Sequence, residues 1–277
     1  MDASGSDAGA QKNGGGRVPD ERLADYPFDH AMTFGETAIL YDRHRPSYPR
    51  GLMEAVLENT GASTVLEIGA GTGKATKALL ALGRSVMAVE PDQRMATVLA
   101  QNCRRGEFQI DPVMFEHALP PYESFEVAVA AQSWHWIDHD IGYQLAADAL
   151  VLGGRLALMG HEPDTDQGRF GDALLNLYSQ LAPHVKHPLP GVGALTDPSS
   201  DERALEYFTD WHRLEHRWRR KVTSATLVGW LCSSASHRAL TIAERRELMS
   251  GVASLVGQFG GTVEIGISTI GYFGYKL

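Results

Sequence analysis

The chain of 277 residues is long enough for one α/β domain with an insertion, and its 43% hydrophobic and 21% charged residues argue against a disordered or fibrous protein. The formal net charge of −9 disfavours nucleic acid and anionic membranes as partners, except through a local basic patch. The two cysteines lie far apart and have no ligand-spaced histidines near them, so neither a disulfide framework nor a metal site is expected.

The first residues of the chain are predicted to form a disordered tail. Residues 1–25 are rich in Gly, Ala, Ser and Asp and offer too little apolar surface to offset the entropy of ordering them. They also lack the hydrophobic centre of a secretory signal, and no apolar run in the sequence reaches membrane-spanning length. We therefore expect a cytoplasmic protein.

The next predicted elements are two helices followed by a β-α-β unit. Residues 34–59 place apolar residues at helical spacing, interrupted by Pro46 and Pro49, which predicts helix, turn, helix. The apolar run TVLEIGAG from Thr64 ends in glycines. A helical stretch over residues 74–82 and a second apolar run, SVMAVEP, complete the unit.

The middle of the chain continues the same alternation. Two more apolar runs, EVAVAAQ from Glu126 and GGRLALMG from Gly153, flank a helical stretch over residues 143–150. Strands that alternate with helices predict a mostly parallel sheet covered on both faces. The closing run TVEIGISTIGYFGYKL is typical of an antiparallel edge strand.

The alternation stops after the fourth apolar run, and this sets the predicted domain boundaries. Residues 161–225 mix Gly, Pro, His and aromatic residues without a steady period, which favours a cap inserted over the sheet. We therefore predict a cofactor-binding core with N-terminal helices over residues 26–160 and the cap over 161–225. C-terminal helices and edge strands are predicted over 226–277.

A glycine-rich turn follows the first predicted strand. The stretch from Val65 to Gly73 runs from a buried strand into three alternate glycines, which let the backbone turn sharply and approach a ligand closely. A dinucleotide fingerprint would need a glycine where Lys74 stands, so the spacing speaks against NAD. Glu67 adds negative charge where a pyrophosphate would lie, and a cationic ligand suits it better.

A second carboxylate completes a predicted nucleoside site. Glu90 ends the second strand, where a carboxylate can accept hydrogen bonds from both ribose hydroxyls. The alternative is a tight strand-helix turn beside a solvated glutamate. The presence of Glu67 as well as Glu90 favours the nucleoside site.

Three stretches follow the pattern of a known family: LEIGAGTG with VEPD, then FEHALPPYESFEVAVAAQSWHWID, then LVLGGRLAL, in which Leu152 stands where a proline is usual. They resemble the class I S-adenosylmethionine (SAM)-dependent methyltransferases of the type 11/25-like group. YDRHRPSYP is similar to the helix before this core in a subgroup that includes trans-aconitate methyltransferase-like enzymes. The resemblance covers residues 34–159. It implies an α/β, Rossmann-like fold with a mostly parallel seven-stranded sheet, an antiparallel edge strand and an inserted cap.

The resemblance also implies a SAM site at the carboxyl ends of the strands. Glu67 and Gly69 would lie near the methionyl part of SAM, and Glu90 would hold the ribose. Met95 would cover the adenine and Gln132 would lie near the sulfonium. The predicted cofactor residues are Tyr41 and Arg45, which could reach the SAM carboxylate or the acceptor, with Glu67, Gly69, Ala70, Gly71, Gly73, Glu90, Pro91, Met95, Phe115, Glu116, Gln132 and Ser133.

The candidates for catalysis and acceptor binding follow the fourth strand or lie in a basic stretch. His135 is the candidate general base because the imidazole group titrates near neutrality; a structural histidine is the alternative. Trp134 and Trp136 can exclude water and offer π faces to a sulfonium. Arg217 belongs to the basic run over residues 213–221, which either recognises an anionic acceptor or forms a solvated strand face.

The combined prediction is a SAM-dependent methyltransferase that acts by direct displacement on a small molecule. The acceptor atom is O, N or C, in a carboxylic acid or a specialised metabolite, for example. No metal, nucleic acid or membrane is expected to take part, and homodimer formation is left open. The alternatives are a macromolecular acceptor and a SAM-binding protein without transferase activity.

Overall fold

The computed structural model of the chain describes residues 34–191 and 195–277, so the predicted disordered tail over residues 1–25 lies outside the described part. The strands are β1 (Thr64–Ile68), β2 (Ser85–Val89), β3 (Phe108–Asp111), β4 (Phe125–Ala131), β5 (Leu150–Pro163), β6 (Phe208–Thr223) and β7 (Thr262–Lys276). The helices are α1 (Phe34–His44), α2 (Arg50–Leu57), α3 (Lys74–Ala81), α4 (Gln93–Cys103), α5 (His139–Ala149), α6 (Gly168–Leu181), α7 (Glu202–Leu205), α8 (Ser224–Cys232), α9 (Ala235–Arg238) and α10 (Ile242–Gln258). Within those ranges, no helix combines the length and apolar character that crossing a bilayer requires.

The strands form one seven-stranded sheet in the order β3-β2-β1-β4-β5-β7-β6. Strands β1 to β5 are parallel to one another, and β7 runs antiparallel to both β5 and β6. The predicted fold class is therefore confirmed: an α/β, Rossmann-like sheet that is mostly parallel, with an antiparallel strand on one side. The antiparallel strand β7 lies one position in from the edge, and β6 is the outermost strand.

The predicted cap over residues 161–225 needs correction at its C-terminal end. The 16 residues of β6 pair with β7 from Phe208 to Thr223, with a register shift between Thr209 and His212. These residues extend the sheet and do not cover it. The sequence pattern did not predict this strand, because an edge strand leaves much of its surface in solvent and its charged side chains show no apolar alternation.

Apolar side chains cover both faces of the central strands. Val65 and Leu66 of β1 are both 0% exposed, and successive residues of a strand point to opposite faces. Val65 lies in one core with Leu79 of α3, and Leu66 lies in the other with Tyr143 of α5. This packing fixes the parallel strands so that their carboxyl ends meet along one edge of the sheet.

A third apolar core lies outside the central strands. It joins Leu174 of α6 to Leu231 of α8, Leu248 of α10 and Ile265 of β7, all with at most 2% exposure. The part of the predicted cap that forms α6 therefore packs against the C-terminal helices. Because α8 leads directly into α9, this core also holds the α8-α9 turn beside the carboxyl edge of the sheet.

Candidate active site

The turn after β1 follows the carboxyl end of that strand. The amides of Gly69 and Ala70 donate to the carbonyl of Val89 at 2.8 and 3.1 Å, which ties the turn to β2. Gly69 and Gly71 have φ angles of 69° and 58°, a region that favours glycine. A Cβ at Gly69 would collide with Ser133, whereas a Cβ at Gly71 would meet no atom within 4 Å. The backbone at Gly71 therefore borders open space where a ligand can approach.

Glu90 is a buried carboxylate in a fixed orientation beside this turn. Its two oxygens accept hydrogen bonds from the amides of Gly71 at 2.7 Å and Asp92 at 2.9 Å. Its side chain is 7% exposed, and burial raises the pKa of the carboxyl group above its ordinary value. Each oxygen keeps further lone pairs, so the group can still accept from the hydroxyls of a sugar.

Glu67 is a second buried carboxylate, at the end of β1. It is 1% exposed, and Thr76 on α3 donates its hydroxyl to it at 2.6 Å. Burial raises the pKa of Glu67 to about 8, with a smaller contribution from the nearby charge of Glu90. A cationic ligand group would favour the ionised carboxylate, so the pair of glutamates makes this region suited to positive charge.

A cavity of about 810 Å³ opens beside these groups, within the size range of small-molecule sites. Of the predicted cofactor residues, Tyr41, Arg45, Glu67, Gly69, Ala70, Gly71, Glu90, Pro91, Met95, Phe115, Glu116, Gln132 and Ser133 line it. Gly73 is outside that lining. It precedes α3 with a φ of 83°, and a Cβ there would lie 3.0 Å from Leu99 and 3.2 Å from Cys103. Gly73 therefore serves the close packing of α3 on α4.

Gln132 connects the end of β4 with β5 at the cavity wall. It has a φ of 62°, which is uncommon for a residue with a side chain. Its amide nitrogen Nε2 donates to the carbonyl of His161 at 3.0 Å, and its backbone amide donates to Met159 at 2.8 Å. Such a strained conformation persists only where the surrounding structure supports it, and residues that adopt it cluster at functional sites.

The stretch after Gln132 divides between the cavity mouth and the core. His135 and Trp136 are exposed and line the mouth, with Trp136 exposed to 74%. Trp134 is 3% exposed and packs on Tyr143 of α5, with ring centroids 4.9 Å apart. The predicted role of Trp134 against the acceptor is therefore corrected to a core residue, since the one-turn helix over residues 134–136 points it inward.

Arg217, the predicted acceptor residue in the basic run, does not line the cavity. Its Nε donates to Glu215 at 2.7 Å, and Arg213 donates to the same carboxylate at 2.9 Å. Glu215 also accepts from Ser268 of β7, and these hydrogen bonds lower the pKa of Glu215 to about 2. This face of β6 is an exposed cluster of ion pairs. It matches the second interpretation of the basic run, a solvated strand face.

The wall opposite the glycine turn comes from distant parts of the chain. Tyr48 follows α1, His161 lies on β5, and Trp230 lies on α8; these three and the serines 233, 234 and 236 line the cavity. Arg45 joins the two sides by donating to Ser233 at 2.8 Å. The serine-rich stretch after Trp230 is the visible sequence signal, whereas Tyr48 and His161 carry no motif that would have identified them.

The strand order and the ligand cavity at the carboxyl edge define the class I methyltransferase fold. Residues 65–154 match the family model described as a methyltransferase domain, and this range includes the glycine turn and Glu90. Over this range the chain is similar to known methyltransferase domains.

Several named proteins are similar to this chain over most of its length. The chain is 29% identical over 242 residues to an uncharacterized methyltransferase of Mycobacterium tuberculosis, covering 84% of this chain and 91% of that one. It is 28% identical over 191 residues to the demethylmenaquinone methyltransferase of Tropheryma whipplei, covering 67% and 75%. The structure of a proposed type II methyltransferase from Anaeromyxobacter dehalogenans is 20% identical and has a TM-score of 0.59, with 83% and 97% covered. At that identity the structural likeness concerns the fold.

Proposed function

We propose that the cavity binds SAM and that the protein transfers the methyl group of SAM to a small-molecule acceptor. The observation that carries this proposal is the fixed carboxylate of Glu90 beside the open face of Gly71. The two backbone hydrogen bonds already orient Glu90, so binding a ribose would cost little further ordering. Met95 and Phe115 line the same cavity and offer apolar surface for the adenine.

The charges around the cavity suit the methionyl end of SAM. Glu67 would receive the amino group, and Arg45 would receive the carboxylate. The guanidinium of Arg45 stands 5.0 Å from the centre of the Tyr41 ring and donates to Ser233, so α1 and the α8-α9 turn hold it. Burial lowers the pKa of Arg45 from its ordinary value, and a carboxylate ligand would offset that loss of solvation.

The protein's part in methyl transfer is to position the acceptor and keep water away. When bound, SAM supplies a methyl carbon on a positively charged sulfur, which a nucleophile can displace directly. Gln132 holds the wall between β4 and β5, and Trp136 covers the mouth. His135 beside it is the candidate to take a proton from an acceptor that arrives as O–H, N–H or C–H. An acceptor that is already ionised would need no base.

A small-molecule acceptor fits the shape of the site. The glycine turn, α1 and the α8-α9 turn all line the cavity, and its volume of about 810 Å³ suits a small molecule beside the cofactor. The relative from Tropheryma whipplei is named as acting on demethylmenaquinone, which is a small molecule. The chain's net charge of −9 also disfavours a nucleic-acid acceptor.

Calorimetry with SAM and with S-adenosylhomocysteine tests the cofactor site. Glu90→Ala should weaken the affinity for both ligands by about ten- to a hundredfold, because hydrogen bonds to a charged group are lost. Glu107→Ala, which removes an exposed carboxylate before β3, is the matched control and should stay within about twofold. Absence of heat and of a thermal shift with both ligands at millimolar concentration would refute SAM binding.

Isotope transfer from methyl-labelled SAM tests the activity. The purified protein is incubated with an extract of the source organism, which is then separated into metabolite, protein and RNA fractions. Label in the metabolites supports the proposal. Label confined to protein or RNA would assign a macromolecular acceptor instead. If SAM binds but no fraction becomes labelled, the result would indicate a SAM-binding protein without transferase activity.

A further inference from the structure

A second cleft, of about 740 Å³, lies beside the cofactor cavity between α1, α3 and β6. Arg45, Tyr48 and Lys74 line both spaces, so the cleft and the cavity adjoin at these three side chains. A molecule in the cleft would therefore reach the edge of the proposed SAM site.

The cleft is strongly cationic on a chain of net charge −9. Arg43, Arg45, Lys74, Lys77 and Arg220 line it, with Asp42 as the single carboxylate of the lining. Asp42 lies 3.9 Å from Lys74, and within the described ranges no carboxylate lies within 4.0 Å of the other four cations. Burial lowers the pKa of Arg45, Lys74 and Arg220, and only Lys74 among these three has a carboxylate, that of Asp42, within 4.0 Å in the described ranges.

The alternation of β6 decides which of its cations face the cleft. On one face, Arg217 binds Glu215, and Arg219 lies 3.6 Å from Asp166. On the other face, His216, Trp218 and Arg220 line the cleft. Arg220 donates to the carbonyl of His44 at 2.6 Å and stands 6.0 Å from the ring centre of Trp230, which lines the cofactor cavity.

His161 provides a second, independent sign of a ligand where the two spaces adjoin. It is 7% exposed and lines the cofactor cavity, and its ring stacks on Tyr48 with centroids 4.5 Å apart. Its Nδ1 lies 2.9 Å from the hydroxyl of Thr269, whereas its Nε2 is buried and has no hydrogen-bond partner among the described residues. A buried polar atom without a partner is costly, and a ligand atom would supply one.

A hydrogen-bond relay from β6 is compatible with a proton on Nε2 of His161. The indole nitrogen of Trp218 can only donate, and it donates to the Thr269 hydroxyl at 2.9 Å. That hydroxyl can then donate its own hydrogen to Nδ1 of His161, which leaves the imidazole proton on Nε2. Burial, followed by the charges of Arg45, Lys74 and Arg220, lowers the pKa of His161 to about 3 and keeps the ring neutral. In this tautomer Nε2–H is a hydrogen-bond donor, and Arg45, Lys74 and Arg220 are near enough to lower the pKa of the ring.

We propose that this cleft binds an anionic group of the methyl acceptor, a carboxylate or a phosphate, with Arg220 and Lys74 as its ion partners and His161 Nε2–H as its hydrogen-bond donor. This inference rests on the proposed methyl transfer and adds the class of its acceptor. An anion there would face Arg220, which has no carboxylate within 4.0 Å among the described residues, together with Lys74 and the unpartnered Nε2 of His161. The shared wall with the cofactor cavity leaves the rest of the acceptor free to reach the methyl group.

The charge of the acceptor can be tested before the acceptor is identified. The small metabolites of an extract are first separated on an anion-exchange resin at pH 8, and each fraction is then assayed with methyl-labelled SAM. We expect the acceptor in the retained, anionic fraction. Transfer only into the unretained fraction would overturn the anion proposal and leave the methyltransferase function intact. Transfer into no fraction, with no binding of S-adenosylhomocysteine, would instead count against the proposed function itself.

Arg220→Gln and Arg219→Gln form a matched pair of variants on opposite faces of β6. Arg220→Gln should raise the KM for the active fraction about ten- to a hundredfold, through the loss of one charged partner, while the affinity for S-adenosylhomocysteine stays within about twofold. Arg219→Gln should change neither value by more than about twofold. Equal KM values for the two variants would overturn the role of Arg220, and unchanged cofactor affinity shows that both variants are folded.

Nitrogen NMR of the histidine rings tests the relay. In the wild-type protein at pH 7, His161 should give the signature of a neutral ring with the proton on Nε2. Thr269→Val removes the relay hydroxyl at nearly constant volume, so it should shift the tautomer balance and raise the acceptor KM with the cofactor affinity unchanged. A proton on Nδ1, or a charged ring, in the wild-type protein would overturn the role of His161.

Discussion

Glu67 is the residue whose ionisation links the cofactor site to folding. Its pKa of about 8 in the folded protein lies above its ordinary value of 4.5, so the folded state keeps a proton that the unfolded chain loses above pH 4.5. The contribution of Glu67 to the free energy of unfolding should therefore fall as the pH rises from 4.5 to 8. The buried His44, His161 and His237 act in the opposite direction, because they stay neutral in the folded protein while the unfolded chain still binds protons near pH 6.5.

Urea unfolding of the wild-type protein and of Glu67→Gln at pH 6.5 and pH 8 isolates the effect of Glu67, because the histidines titrate alike in both proteins. Across this interval the wild-type protein should lose on the order of 1–2 kcal/mol more unfolding free energy than Glu67→Gln. Glu67→Gln cannot ionise and should lose clearly less. An equal loss in both proteins would show that other groups titrate in this range and that Glu67 does not. Saturating S-adenosylhomocysteine should reduce the loss in the wild-type protein, because its amino group stabilises the ionised carboxylate.

His135 lies at the mouth of the cavity, where a proton acceptor is accessible. If it serves as the general base, His135→Ala should lower kcat by about two orders of magnitude and leave the affinity for S-adenosylhomocysteine unchanged. His117→Ala, an exposed histidine before β4, is the control and should keep the wild-type kcat. Wild-type turnover in His135→Ala would show that this side chain is a wall of the pocket and that the acceptor needs no base.

At the scale of single elements, the end of α2 is held by a side chain from the sheet. Arg155 of β5 is 6% exposed and donates to the carbonyls of Ala55, Val56 and Glu58 at 2.7–3.0 Å. It also donates to the hydroxyl of Tyr275 on β7 at 2.9 Å. The terminal carbonyls of a helix have no partners within the helix, so this guanidinium supplies them.

Arg155→Met should destabilise the protein by about 2–4 kcal/mol, because it leaves several carbonyls with fewer partners while keeping most of the side-chain volume. Chemical denaturation measures the change. Arg105→Met, at an exposed position after α4, is the control and should stay within about 0.5 kcal/mol of the wild type. A similarly small change in Arg155→Met would mean that other groups satisfy the end of α2.

At the scale of the whole molecule, methyl transfer should not depend on a metal ion. Where the chain is described, no group of three or more His, Cys, Asp or Glu side chains could hold one, and SAM itself supplies the electrophilic carbon. Turnover should therefore be unchanged after treatment with EDTA. A loss of activity that added magnesium or zinc restores would contradict this, and would point to an acceptor that brings its own metal-binding oxygens.

The sequence by itself determined the parts of the protein that depend on neighbours in the chain. The alternation of apolar runs and helices predicted the β-α-β order, and LEIGAGTG predicted the turn at Gly69 and Gly71. Glu90 could be placed because it ends the next strand, and adjacent parallel strands align their carboxyl ends. These inferences need only the pattern and the strand geometry.

Only the tertiary structure decided what faces the cavity from across the fold. Arg45 and Ser233 are separated by 188 positions and meet because α1 packs on α8, which no local pattern encodes. The basic run was visible in the sequence, but the pairing of β6 with β7 decided that Arg217 meets Glu215 while Arg220 faces the cleft. Strand register reverses the direction of every side chain when it shifts by one residue, and the register of an edge strand is set by its partner.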